Sequence, residues 1–208
     1  AKQRLLEQRA KRIRPGLDDK VLVSWNALMI QSMAQAGVIL NEPRYLNAAV
    51  QASEFILQHM TNSTEGESLR LLHSWRHGKA KLNAYLDDYS HLIQALTTLY
   101  ETTQDTRWLD EALRLADVVH SHFVDTASGG FFYTSDDHET VITRNIEIHD
   151  ASVPSSNGML ATALLRLGAI SGEQRHLTAT QRILSLASGV MTQTPQACGQ
   201  LLLSADLA

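Results

Sequence analysis

Cysteine is nearly missing from this chain. Cys198 stands alone, which excludes an internal disulfide framework, a CxxC redox motif and a cysteine-rich zinc site together. Long apolar runs are missing too: Val21-Leu22-Val23 is broken at once by Ser24, far short of the roughly 18 residues that a spanning helix needs. Nor is there an excess of positive charge. With 18 Lys and Arg against 22 Asp and Glu the formal net charge is -4, so no long-range attraction draws the chain to nucleic acid or a membrane surface. GxGxxG, GxxxxGKS and GxSxG patterns are absent, which leaves dinucleotide, P-loop and α/β-hydrolase chemistry unsupported. Four prolines and 11 glycines are too few for a fibrous or low-complexity chain, and the 208 residues, 44% hydrophobic and 19% charged, have the balance of a globular protein. Residue 1 is Ala with no charged-then-apolar leader behind it, so the expectation is an excised piece of a longer, cytoplasmic protein.

What is present is an internal repeat. Arg44-Tyr45-Leu46 recurs as Arg107-Trp108-Leu109 and as Arg175-His176-Leu177, at spacings of 63 and 68 residues. Twenty residues before each ring stand Trp25, Asp88 and Ser156, and from there the segments overlay without a gap. The columns read Met29/Leu92/Leu160, Ile30/Ile93/Ala161, Met33/Leu96/Leu164 and Gly37/Tyr100/Gly168, which is the apolar stripe of an amphipathic helix. Leu46, Ala49, Phe55 and Ile56 likewise match Leu109, Ala112, Val118 and Val119. The turns Asn41-Glu42-Pro43, Gln104-Asp105-Thr106 and Ser171-Gly172-Glu173 suit short helix connections. The chain therefore reads as all-α, a single fragment over 1–208 built of three αα-hairpins: 24–60, 86–123 and 156–191.

Between the hairpins the composition changes. Thr61-Asn62-Ser63-Thr64-Glu65-Gly66 is turn-like, and residues 69–76 read as a strand. Gly130-Phe131-Phe132-Tyr133 and Thr140-Val141-Ile142-Thr143 flank a polar stretch, which predicts a β-hairpin insertion over 128–146. Residues 1–20 form a basic lead-in, with six Lys or Arg among the first 14, and read as a solvated amphipathic helix or linker.

In an α/α toroid the first helix of each pair lies inside, and the starts of the inner helices open onto one face. Here those starts are Asp18-Asp19-Lys20 leading to Ser24-Trp25-Asn26, then Leu86-Asp87-Asp88-Tyr89, then Val153-Pro154-Ser155-Ser156-Asn157. Carboxylates and amides hydrogen-bond hydroxyl groups, and flat rings stack on a sugar face. Asp, Ser and Asn are also the preferred helix caps, each worth roughly 1 kcal/mol. The doublets exceed that need, because one side chain caps and the other is spare. Paired carboxylates suit acid and base work at an anomeric carbon, which makes Asp87, Asp88 and Asp19 candidate catalytic groups. His149, followed by Asp150, is a candidate general base with an orienting carboxylate. Asp18, Trp25, Asn26, Trp75, Arg76, Tyr89, Ser155 and Asn157 are candidate binding residues for a carbohydrate ligand. The His73/His77 and His120/His122 spacings do not suit the elements they fall in, so no metal and no cofactor are expected.

The string from Arg14 to Ile30, RPGLDDKVLVSWNALMI, resembles the signature of the YyaL-type, thioredoxin-fused family that includes the spermatogenesis-associated proteins. Ser74-Trp75-Arg76-His77-Gly78, Tyr85-Leu86-Asp87-Asp88-Tyr89 and Ser152-Val153-Pro154-Ser155-Ser156-Asn157 resemble it in the same order, whereas Ala27 stands where the family commonly has Gly. The resemblance implies a thioredoxin-like domain in the parent protein, missing from this chain. It also implies an α/α toroid similar to six-hairpin glycosidases and sugar epimerases. Two functions remain open: a glycosidase-like or epimerase-like enzyme, or a non-catalytic scaffold that binds a glycan or protein and presents the thioredoxin domain. Three hairpins are half of a closed six-hairpin ring. Apolar seams are therefore expected, covered by neighbouring copies through self-association, by residues 1–14 or by the tail Gln200-Leu201-Leu202-Leu203. Truncation would also explain the missing Met and the missing cysteine pair.

Overall fold

Apolar positions at three, four and seven do become helices. The structure is a computed structural model, and it describes residues 1–62, 69–139 and 142–208. Three αα-hairpins are formed by α2 (Val23–Ile39) with α3 (Pro43–His59), α4 (Leu86–Thr103) with α5 (Thr106–His122), and α6 (Ser156–Ser171) with α7 (Gln174–Gln193). α1 (Lys2–Ala10) precedes them as an exposed helix with no buried residue. α8 (Gly199–Leu207) follows. The first helix of each pair packs on the first helix of the next, α2 on α4 and α4 on α6, and α8 continues the row against α6. The fold is thus an arc of an α/α toroid with short β insertions. Its core is the inner row, where Tyr89, Leu92, Leu96, Leu160 and Leu164 are fully buried.

The repeat register explains how each hairpin closes. Asn41, Gln104 and Gly172 hold the same column and all three take positive φ (50°, 58° and 76°), the left-handed turn that ends a helix and reverses the chain. Four residues earlier stands the Gly37/Tyr100/Gly168 column. A Cβ on Gly37 would stand 2.8 Å from the Leu46 nitrogen, and one on Gly168 would stand 2.8 Å from Leu177 Cδ2. The recurrent leucine of one helix therefore presses onto the glycine of its partner. The recurrent arginine links successive outer helices: Arg107 reaches Glu54 on α3 at 2.9 Å, and Arg175 reaches Asp117 on α5 at 2.6 Å.

The β structure departs from expectation. β3 (Arg70–Arg76) is the predicted strand, but its partner is β4 (Lys79–Asn83), joined through His77 and Gly78. Both turn residues have positive φ, 50° and 76°, the geometry of a tight two-residue hairpin turn. β1 (Val21–Leu22) and β2 (Thr61–Asn62) also pair antiparallel with β3. Over 128–146 the predicted hairpin does not form among the described residues, and Thr140 and Val141 lie outside them. Only an isolated bridge joins Val124 to Phe131. The reason is local: Asn157 takes both backbone groups of Phe131, accepting its N–H and donating to its carbonyl, each at 2.9 Å. The Tyr133 carbonyl accepts the first amide of α4, from Leu86. Backbone groups spent on helix starts cannot build a ladder. The turn-like residues 63–66 also lie outside the described set.

Candidate active site

The inner-helix starts meet through Asp88. Its carboxylate is fully buried and accepts the Ser24 amide at the start of α2 (2.9 Å), the Tyr85 amide at the start of α4 (3.0 Å) and the Nδ1 of His73 from β3 (2.8 Å). One side chain thus caps two helices and holds a histidine. The hydrogen bond to Asp88 raises the pKa of His73 against the opposing effect of burial.

Asp87, whose Oδ1 accepts the Asp88 amide at 3.0 Å, is the carboxylate of the doublet that faces a cavity. Burial first, and the Asp88 charge second, push its carboxyl up to about 6, while Ser24 and His73 pull it down. It lines an open cavity of about 360 Å³ together with Tyr133, Glu147, His149 and Ser155. Burial also raises Glu147. Burial and the neighbouring carboxylates, Asp87 foremost, raise Tyr133. Tyr133 stacks on Tyr85 at 5.0 Å and 11°, and the His73 ring meets Tyr85 edge-on at 5.1 Å. A carboxyl of raised pKa, a second carboxyl and the Tyr133 ring therefore share one open cavity, an arrangement able to exchange protons with a polyhydroxylated ligand.

The remaining candidates are spread more widely. Asp18 pairs with Lys20 at 2.9 Å and Asp19 with Arg76, on an exposed lead-in rather than at the start of α2. Trp25 is 64% exposed on α2. Asn26 donates to the Leu22 carbonyl at 2.7 Å. Trp75 packs edge-on against Phe55 at 5.2 Å. Three expectations are corrected. Tyr89 is fully buried, and its hydroxyl accepts the Leu71 amide at 2.9 Å, so the ring is core and not a stacking platform. Asn157 is fully buried as the clamp on Phe131. Asp150 does not orient His149, because its two oxygens take the amides of Ser155 (2.8 Å) and Gln200 (2.9 Å). Ser155 lines the cavity but also caps α6 through the Gly158 amide at 3.3 Å.

Tyr133, Glu147 and His73 were missed as site residues. Ile146-Glu147-Ile148-His149 alternates apolar and polar, and this extended pattern sets Glu147 and His149 on one side of the segment. Elsewhere His122, Asp136 and Asp137 offer ligand atoms within 4.8 Å of one another. His122 and Asp136 already bond each other at 2.8 Å, and Arg70 occupies Asp137, a cation where a metal would need none.

No family model matches the chain. Human spermatogenesis-associated protein 20 is 29% identical over 205 residues, which is 96% of this chain and 26% of that protein. The resemblance carried by the four motifs thus extends over almost the whole chain, which spans about a quarter of the relative's length. Among solved structures, cellobiose 2-epimerase from Spirochaeta thermophila superposes with a TM-score of 0.64 at 17% identity, over 81% of this chain and 43% of its own. An α-1,6-mannanase of Salegentibacter, an inactive variant with two consecutive aspartates replaced by asparagine, in complex with α-1,6-mannotriose, gives 0.64 at 18%, over 89% and 51%. These likenesses establish the toroid fold, and the chain spans about half of each ring.

Proposed function

We propose that this chain is the acid–base half of a carbohydrate-directed toroid, with Asp87 as proton donor and acceptor at a sugar bound in the cavity it shares with Tyr133, Glu147 and His149. The observation that carries this reading is Asp87 itself: a spare carboxyl beside a fully committed one, its pKa near neutral, facing open space. Asp88 is a positioning residue that keeps Asp87 and His73 in place. Asp19, tied to Arg76, and Trp25 and Trp75 are assigned to the surroundings of the ligand rather than to proton transfer. The mannanase whose consecutive aspartates were replaced, and the epimerase, support a saccharide ligand, since both share this fold. A glycosidase-like or epimerase-like step fits the same groups, in a cytoplasmic parent protein fused to a thioredoxin-like domain.

The scaffold reading draws on one observation, that Asp88 is fully engaged in caps and Asp19 is paired with Arg76. Turnover of a glycoside and reducing-sugar panel by the full-length parent protein separates the two. The enzyme reading expects Asp87→Asn to cut turnover about 100-fold or more. Unchanged activity in that variant removes Asp87 from the chemistry, and a parent protein that binds sugar without turnover leaves the scaffold.

A further inference from the structure

One face of the β1–β3–β4 sheet carries a charge pattern that strand pairing disfavours. Val21 lies opposite Trp75 and Leu22 opposite Ser74, which sets Lys20 beside Arg76. Across the hairpin Arg76 lies opposite Lys79 and Ser74 opposite Lys81. Lys20, Arg76 and Lys79 thus form a row of three cations, with Lys81 one step along, and like charges directly opposite destabilise a sheet. The chain as a whole is net negative, so the concentration is local. Two carboxylates answer it: Asp18 at Lys20 and Asp19 at the Nε of Arg76. Among the described residues Lys79 and Lys81 have no acidic partner. These four cations line a cavity of about 530 Å³ with His77 and the buried Ser74. The cavity is tied to the candidate active site through β3, the strand that carries both Arg76 and His73, the partner of Asp88.

We infer that this pocket binds the phosphate group of a phosphorylated sugar. Four cations against two carboxylates leave an excess that a dianion matches. Arg76 keeps its terminal N–H groups for a forked contact while its Nε holds Asp19, and the lysines act as point charges around it. The sugar part of the inference rests on the proposed function; the anion part rests on the cation row alone.

The test is an NMR titration of the protein at constant ionic strength with inorganic phosphate, mannose and mannose 6-phosphate, with sodium chloride as reference. The expected result is saturable phosphate-specific shifts at Arg76–Lys81, weakened at least tenfold by the exposed double substitution Lys79→Gln/Lys81→Gln. Mannose 6-phosphate is expected to bind tighter than either half. Shifts that chloride reproduces, or that survive the double substitution, overturn the anion pocket. Phosphate binding at the hairpin with mannose 6-phosphate no tighter than phosphate keeps the pocket and removes the sugar. Mannose shifting Asp87 and Glu147 while phosphate leaves the hairpin unmoved keeps the carbohydrate reading and overturns the pocket.

Discussion

Removing the Asp88 carboxylate strands three donors at once: two helix-start amides and a histidine. Asp88→Asn retains the shape but keeps only one acceptor oxygen, and we expect roughly 2–4 kcal/mol of destabilisation by urea denaturation. Asp87→Asn should behave oppositely. The folded-state pKa of Asp87, about 6, lies above the ordinary aspartate value of 3.8. As pH rises through that window the unfolded chain ionises first, so stability is lost between about pH 4 and 6 and stays lost above. Asparagine removes this cost. The variant is expected to gain roughly 1–2 kcal/mol over the parent chain at pH 7 and nothing at pH 4, read from denaturation at both values. The spare aspartate of the doublet was legible in the sequence. Which of the two is spare was not, because that depends on Ser24 and His73, which fold against Asp88 from 64 and 15 residues away. Glu147 and Tyr133 were hidden for the same reason, since neither sits at a helix start.

At the level of elements, the repeat made the helical hairpins readable because the copies reuse one packing solution: a left-handed residue at the turn in all three, and a glycine under the leucine in the first and third. Replacing the two glycines separates their roles. At Gly37 the neighbour is the Leu46 backbone, which cannot yield, whereas at Gly168 it is the tip of the Leu177 side chain. Gly37→Ala should therefore cost roughly 1–3 kcal/mol through overpacking. In Gly168→Ala the gain in helix propensity, about 1 kcal/mol, should nearly offset the strain. Thermal unfolding of the two variants decides it: equal losses would mean that the leucine contact is not what the column is for. The strands were the least readable elements. Phe131 and Tyr133 have strand-forming side chains, yet Asn157 claims both backbone groups of Phe131 and the start of α4 the carbonyl of Tyr133, whose amide donates to Asn145. β4, with three polar residues out of five, gave little signal except the turn geometry at His77-Gly78.

On the scale of the molecule, the arc has open ends. α2 shows Trp25, Met29 and Ile39 at 64%, 58% and 79% exposure along its outer side, and α8 exposes Leu203 and Leu207. Among the described residues the one acid that Arg44, the first recurrent arginine, pairs with is Glu42 of its own turn, whereas Arg107 and Arg175 reach an acid on the preceding outer helix. We expect the chain to self-associate through this edge as its concentration rises, by sedimentation, and Met29→Lys to shift it toward monomer. A monodisperse monomer at all concentrations would contradict the seam. No described helix is long and apolar enough to cross a membrane. Within the arc the inner-helix starts converge, and the proposed proton transfer turns on Asp87, the carboxyl of the doublet that faces the cavity. Its most direct measurement is a carbon-13 NMR pH titration of the Asp87 side chain, identified by its loss in Asp87→Asn: a midpoint near 6 is predicted, and a midpoint at the ordinary aspartate value near 4 would contradict the account.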